Sequence, residues 1–94
     1  MPYVDQEARN QLNVGAVPRK AGELNYVITK ACLRYLRNLE GPGRKLGYQD
    51  FNDVIGALEC AKMELNRVII GPYEDIKIAE NGPVYDGILP SGEY

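Results

Sequence analysis

Residues 48–70 constrain the fold more than any other stretch, because their pattern is apolar on two sides of one helix. Large side chains recur at helical spacing on one side, at Phe51, Val54, Ile55, Leu58, Leu65 and Ile69. A helix that is apolar on two sides is buried on two sides. Within a chain this short, the other long helix can cover only one of these two sides. The other side is small and apolar, and we expect it to form the interface of a homo-oligomer through Gly56, Ala57, Cys60 and Ala61.

Three further helices are predicted around this one. Apolar residues at steps of three or four predict a long helix over residues 22–39, which Gly41-Pro42-Gly43 ends. Asp5 can cap a short helix that ends before Gly15, and residues 14–21 are predicted to form a loop. Gly71-Pro72 is expected to break the chain and to begin a fourth helix, with Asn81-Gly82 at its end and an extended tail over residues 83–94.

These patterns predict an all-α protein of one domain, residues 1–94. The expected architecture is a small helical bundle built on an antiparallel hairpin of the two long helices, with a short helix on each side. A chain of 94 residues fits a single domain, although its own core is thin.

The composition argues against several classes of function. The net charge of −2 argues against binding long nucleic acids, which usually requires a basic stripe. No apolar run reaches the ~18–20 residues of a membrane span, and no N-terminal signal is evident, so we expect a cytosolic protein without membrane contact. Two cysteines in apolar helical patterns, Cys32 and Cys60, predict buried reduced thiols. Without histidine or a C-x-x-C pair, neither a metal site nor a cofactor is expected.

Catalysis is not the expected activity, since no catalytic motif is present and histidine, the commonest general base, is absent. Carboxylates are the only candidate acid–base groups. Glu59 is expected to be buried, with Lys30, Arg34 or Tyr35 as its partner. An ion pair that only stabilises the fold would explain such a buried carboxylate as well as a functional site would. The alternative is a metal-dependent, nucleotide-cleaving enzyme that uses Glu59 or the acidic group Glu74, Asp75 and Glu80.

A mixture of polar, aromatic and basic residues marks the predicted second helix. Asn25-Tyr26 and Thr29-Lys30 occupy adjacent turns and suit a stacked base with a nearby phosphate. The tyrosines equally suit the amphipathic edges of a core or an interface. The densest basic group forms either a solvated helix face or an anion pocket, and consists of Lys30, Arg34, Arg37, Arg44 and Lys45.

Two stretches of the chain carry a family resemblance. They are AGELNYVIT, residues 21–29, and the block of residues 48–85 that contains NDVIGALEC, PYEDIKIAENG and Tyr85. With the opening Met1-Pro2-Tyr3, they resemble a family of short uncharacterised proteins encoded by tailed bacteriophages and by bacterial prophages. The basic turn of residues 41–45 and the tail beyond Tyr85 look longer than in that family.

The resemblance implies a phage accessory protein in the cytoplasm of a bacterial host, where such proteins often capture a protein or a small molecule. The leading hypothesis is a counter-defence protein that sequesters a nucleotide-derived immune signal as a homo-oligomer. The alternative is a protein–protein adaptor or inhibitor of a host enzyme or of a phage structural component. The proposed ligand site lies between protomers and contains Asn25, Tyr26, Thr29, Lys30, Arg34, Tyr73, Lys77, Asn81 and Tyr85.

Overall fold

The structure is a computed structural model that describes residues 4–83, and within this range it contains helices and no β-strand. The all-α prediction is therefore confirmed. In chain order the elements are α1 (Gln6–Asn13), α2 (Ala21–Leu39), α3 (Tyr48–Leu65), a π-helical turn (Asn66–Ile70) and α4 (Gly71–Asn81). Contacts within the chain define two units, one that ends at Val54 and one that begins at Ile55.

In the first unit, α1 packs against α2. Asp5 caps α1 as predicted, because its carboxylate accepts the backbone N–H of Ala8 at 2.8 Å. The predicted loop follows, with Gly15 at a φ of 104° that favours glycine. The hydroxyl of Tyr26 donates to the side-chain oxygen of Asn13 at 3.0 Å and joins the end of α1 to the second turn of α2.

The predicted turn after α2 is confirmed, and it leads to a capped start of α3. Gly43 has a φ of 78°, and Gly41 pairs with Arg44 through two backbone hydrogen bonds. Asp50, in the first turn of α3, accepts the backbone N–H of Gly47 at 2.9 Å, as an acidic residue does in a capping box. The same carboxylate accepts two guanidinium N–H bonds from Arg44, at 2.9 and 3.2 Å. Arg44 is therefore neutralised within its own turn.

These contacts make the start of α3 sensitive to acid. The hydrogen bonds from Arg44, and then that from Gly47, lower the pKa of the Asp50 carboxyl below its ordinary value of 3.8. A carboxyl whose pKa is lower in the folded state stabilises the fold above its ordinary pKa, and this stabilisation is lost as the pH falls through the folded pKa. We expect Asp50→Asn to lower the thermal midpoint at pH 7, with a difference from wild type that shrinks below pH 3.8.

The measurement is thermal unfolding of both proteins between pH 7 and pH 3. Asp53→Asn is the matched control, because it removes an exposed carboxylate of the same helix that accepts one hydrogen bond, from Gln49 at 2.7 Å. Its effect at pH 7 should be the smaller of the two. An Asp50→Asn effect that is equal at every pH would contradict the role of the carboxylate charge.

In the second unit, the predicted break at Gly71-Pro72 is wrong. Ile70 and Gly71 both have right-handed helical angles, and the N–H of Gly71 donates to the carbonyl of Asn66, five residues earlier. Proline has no N–H, and its ring collides with a carbonyl four residues before it in a regular α-helix. The π-helical turn widens the backbone directly before Pro72, so that α4 begins without a loop. Gly82, with a φ of 82°, ends α4 as predicted.

Burial differs from the sequence-based expectation. Among residues 4–83 no side chain is classed as buried. Cys32 is half-buried and Cys60 is exposed. The side chain of Glu59 is 61% exposed and pairs with Lys62 of its own helix at 3.4 Å, so its predicted burial is wrong. Cys60 and Glu59 both lie on the part of α3 after Val54, in which every residue is exposed to solvent.

Two parts of the predicted architecture stay predictions. They are the antiparallel pairing of the two long helices and the organisation of residues 1–94 as one domain. Of the predicted tail, residues 84–94 lie outside the described residues.

Candidate anion-binding groove

A groove with a volume of about 550 Å³ lies between the end of α1 and the middle of α2. We call it the cationic groove. Leu12 and Asn13 line it from α1, and α2 contributes Tyr26, Val27, Lys30, Ala31, Arg34 and Arg37. All of these residues belong to the first unit.

The helical repeat brings the three cations of this groove together. Lys30, Arg34 and Arg37 follow one another at steps of four and three residues, which places them on one face of α2. At a rise of about 1.5 Å per residue, they extend over about 10.5 Å of the helix. Tyr26 lies one turn before Lys30, and its hydrogen bond to Asn13 fixes the hydroxyl end of the ring against α1. The groove therefore has an aromatic end and a basic end.

The positive charge of the groove is not neutralised by any carboxylate among residues 4–83. Four of the eight other cations have carboxylate partners, in the pairs Arg44–Asp50, Lys62–Glu59, Arg67–Glu64 and Lys77–Glu80. Like charges three or four residues apart cost a helix roughly 0.2–0.5 kcal/mol per pair. Arg37 lies in the last turn of α2, where the helix dipole favours a cation, but Lys30 lies more than two turns before the end. An anionic ligand would remove this repulsion.

The groove contains three of the nine ligand-binding residues predicted from the sequence: Tyr26, Lys30 and Arg34. Asn25 and Thr29 do not line it, and the Thr29 hydroxyl instead donates to the Asn25 side chain at 3.5 Å. From the sequence, Arg37 is assigned only to a basic group. Its spacing of seven residues from Lys30, about two helical turns, is the signal that could have assigned it to the same face of α2. No local signal pointed to Leu12 or Asn13, because their role depends on how α1 packs against α2.

Three other predicted ligand-binding residues lie on α4, in the second unit. Tyr73, Lys77 and Asn81 are spaced by four residues and share one side of this helix. The ammonium group of Lys77 lies 5.6 Å from the centroid of the Tyr73 ring and 3.4 Å from a carboxylate oxygen of Glu80. Lys77 is therefore already paired within α4. Tyr85, the ninth predicted residue, lies outside the described residues.

The predicted oligomer interface is accessible on α3. Gly56, Ala57, Cys60 and Ala61 are all exposed, and a Cβ added at Gly56 would meet no other atom within 4 Å. Large apolar side chains nearby are exposed as well, including Ile55 at 65% and Met63 at 62%. No contact within residues 4–83 explains the small side chain at position 56, and the interface stays a prediction.

The acidic residues considered for metal binding do not form a metal site in the described part of the chain. No group of three or more Asp, Glu or Cys residues between positions 4 and 83 could hold an ion. Glu59 and Glu80 instead pair with Lys62 and Lys77. The helices of this range also include none with the length and apolar character needed to cross a membrane.

The fold and the groove define an all-α protein in which a basic surface, with no ion-pair partner among residues 4–83, lies beside an aromatic ring. The chain belongs to the family described as a domain of unknown function (DUF6899), whose model matches residues 1–84. Comparison with curated proteins and with solved structures gives no match.

Proposed function

We propose that the protein is a phage counter-defence protein that sequesters a nucleotide-derived immune signal in the cytoplasm of a bacterial host, as a homo-oligomer. The observation that supports this most directly is the cationic groove, in which Tyr26 adjoins Lys30 and Arg34. The phage context is drawn from the sequence resemblance alone.

The chemistry of the groove suits a nucleotide. A guanidinium group binds phosphate through paired N–H donors, and an ammonium group adds a point charge. An aromatic ring stacks on a nucleobase with about 1–3 kcal/mol per base. Sequestration needs these contacts and no reacting group, which agrees with the absence of catalytic motifs in the sequence.

Self-association is supported by the exposed strip of α3. Its small residues, Gly56, Ala57, Cys60 and Ala61, would let a helix of a second copy approach closely, and the exposed Met63, which borders the strip, would be covered by the same contact. Removing apolar surface from water stabilises such a contact by roughly 25 cal/mol per Å².

Native mass spectrometry of the full chain with cyclic and ADP-ribose-type nucleotides tests the proposal. We expect an oligomer that takes up one unmodified nucleotide in a fixed ratio. Tyr26→Ala should weaken binding about 5- to 150-fold, the range that a loss of 1–3 kcal/mol of base stacking implies. Lys30→Ala should also weaken binding, because it removes a charge beside the phosphate.

Two variants serve as controls for this experiment. Tyr26→Phe keeps the ring and should bind nearly as well as wild type, while Lys20→Ala removes a lysine at the start of α2 that does not line the groove. Normal binding by both Tyr26→Ala and Lys30→Ala would exclude the groove as the site. A cleaved or altered nucleotide would instead indicate an enzyme.

The exposed apolar side chains of the second unit favour one other function, that of an adaptor or inhibitor which binds a host or phage protein. Val68 and Ile69 are 62% and 59% exposed, and a protein partner would cover them as well as a second copy would. A monomer that binds no nucleotide and captures one protein in a stoichiometric ratio would support this function over sequestration.

A further inference from the structure

We infer that the cationic groove takes a ligand with two or more phosphate groups. This inference rests on the proposed function for the nucleotide nature of the ligand, and it adds the number of phosphates that the ligand carries. The observations behind it are the number and spacing of the cations on α2, and the fact that none of them forms an ion pair within residues 4–83.

The charge balance favours more than one phosphate. A phosphodiester such as a cyclic mononucleotide carries a single negative charge, whereas the groove contributes three cations, Lys30, Arg34 and Arg37. With no carboxylate of residues 4–83 paired to them, a singly charged ligand would leave most of the repulsion along α2 in place. A diphosphate or a larger anion matches the charge of the groove more closely.

The dimensions favour the same ligand. The cations that line the groove occupy about two helical turns of α2, or about 10.5 Å. Arg34 and Arg37 are separated by three residues, so each guanidinium group can take a different phosphate through paired N–H bonds. Lys30 lies between these arginines and Tyr26 in the helical order.

The order of residues along α2 also gives the ligand a direction. The aromatic ring of Tyr26 lies at one end and the two arginines lie at the other, with Lys30 between them. A nucleotide bound with its base on Tyr26 would extend its phosphates toward Arg34 and Arg37. These two arginines are therefore expected to distinguish ligands by phosphate number, while Tyr26 is expected to distinguish nucleotides from bare phosphates.

Isothermal titration of the full chain with three probes tests this inference: a nucleoside diphosphate, a cyclic mononucleotide and inorganic pyrophosphate. We expect the nucleoside diphosphate to bind at least tenfold more tightly than the cyclic mononucleotide. Arg34→Ala and Arg37→Ala should each lower the affinity for the diphosphate at least tenfold and change that for the cyclic mononucleotide much less. Lys20→Ala is the control that removes a cation directly before α2, outside the groove.

The outcomes separate the inference from the proposed function. Equal or tighter binding of the cyclic mononucleotide would overturn the inference and leave nucleotide sequestration intact. Pyrophosphate that binds as tightly as the nucleoside diphosphate would support the two-phosphate site and overturn the nucleotide ligand. Binding of none of the three probes would overturn both.

Discussion

Replacing Ala57 with arginine is expected to reduce the protein to a species with the mass of one chain, 10.5 kDa. Ala57 is exposed on the strip of α3 that we expect to contact a second copy. A long charged side chain there would prevent close approach and would place a charge without a partner in an apolar contact, which is strongly unfavourable. Because the position is exposed in the single chain, its helical structure should be retained.

Light scattering and circular dichroism measure the two halves of this expectation, the mass and the helix content. Gln49→Arg is the matched control, since it adds the same side chain at an exposed polar position of α3 outside the strip. The control should keep the mass of the wild type. An oligomer that survives Ala57→Arg unchanged would show that this strip is not the interface, and a monomeric wild type would refute self-association itself.

Replacing Pro72 with alanine is expected to stabilise the fold by about 1–3 kcal/mol. Proline costs a helix interior about 3 kcal/mol relative to alanine, and the π-helical turn before it reduces part of that cost. Alanine would restore the backbone N–H and remove the ring, so that the turn at Asn66–Ile70 could return to a regular α-helix. The expected change is therefore larger than that of an ordinary surface substitution, which stays within about 0.5 kcal/mol.

Chemical denaturation measures this difference, with Glu74→Ala as a control at an exposed position of the same helix. Gly71→Ala should not show the gain usual for glycine in a helix, because its added Cβ would lie 3.1 Å from the carbonyl oxygen of Asn66. An unfolding midpoint that does not rise in Pro72→Ala would mean that the π-helical turn fully compensates for the proline.

Features that depend on neighbouring residues could be predicted from the sequence. The start of α2 was placed within one residue, the Asp5 cap was correct, and Gly82 ends α4 as expected. In each case the signal is local, namely a helical repeat, a side chain that reaches a nearby N–H, or a glycine that accepts a positive φ.

Features that depend on distant surfaces were missed or only partly predicted. Helical spacing identified Lys30 and Arg34, but Asn13 enters the groove only because α1 packs against α2. Glu59 was expected to be buried because the sequence of α3 is apolar, although what covers a helix is not encoded in its own pattern. Glycine followed by proline usually indicates the end of a helix, because the proline ring collides with a carbonyl of the preceding turn. The π-helical turn is a rarer way to avoid this collision, and it lets the helical backbone continue.

The cations of α2, which have no ion-pair partner in the described part of the chain, also bear on how quickly the proposed ligand would be captured. Although the chain carries a net charge of −2, the groove concentrates three cations on one face of α2 and attracts an anion there. Such a contrast focuses diffusing anions on a single entrance and can raise association rates 10- to 1,000-fold at low salt. A protein that removes a signal competes with the receptor of that signal in time as well as in affinity. Under the proposed sequestration, the three cations of the groove would therefore set the rate of capture, and Tyr26 would set how long a captured nucleotide stays bound.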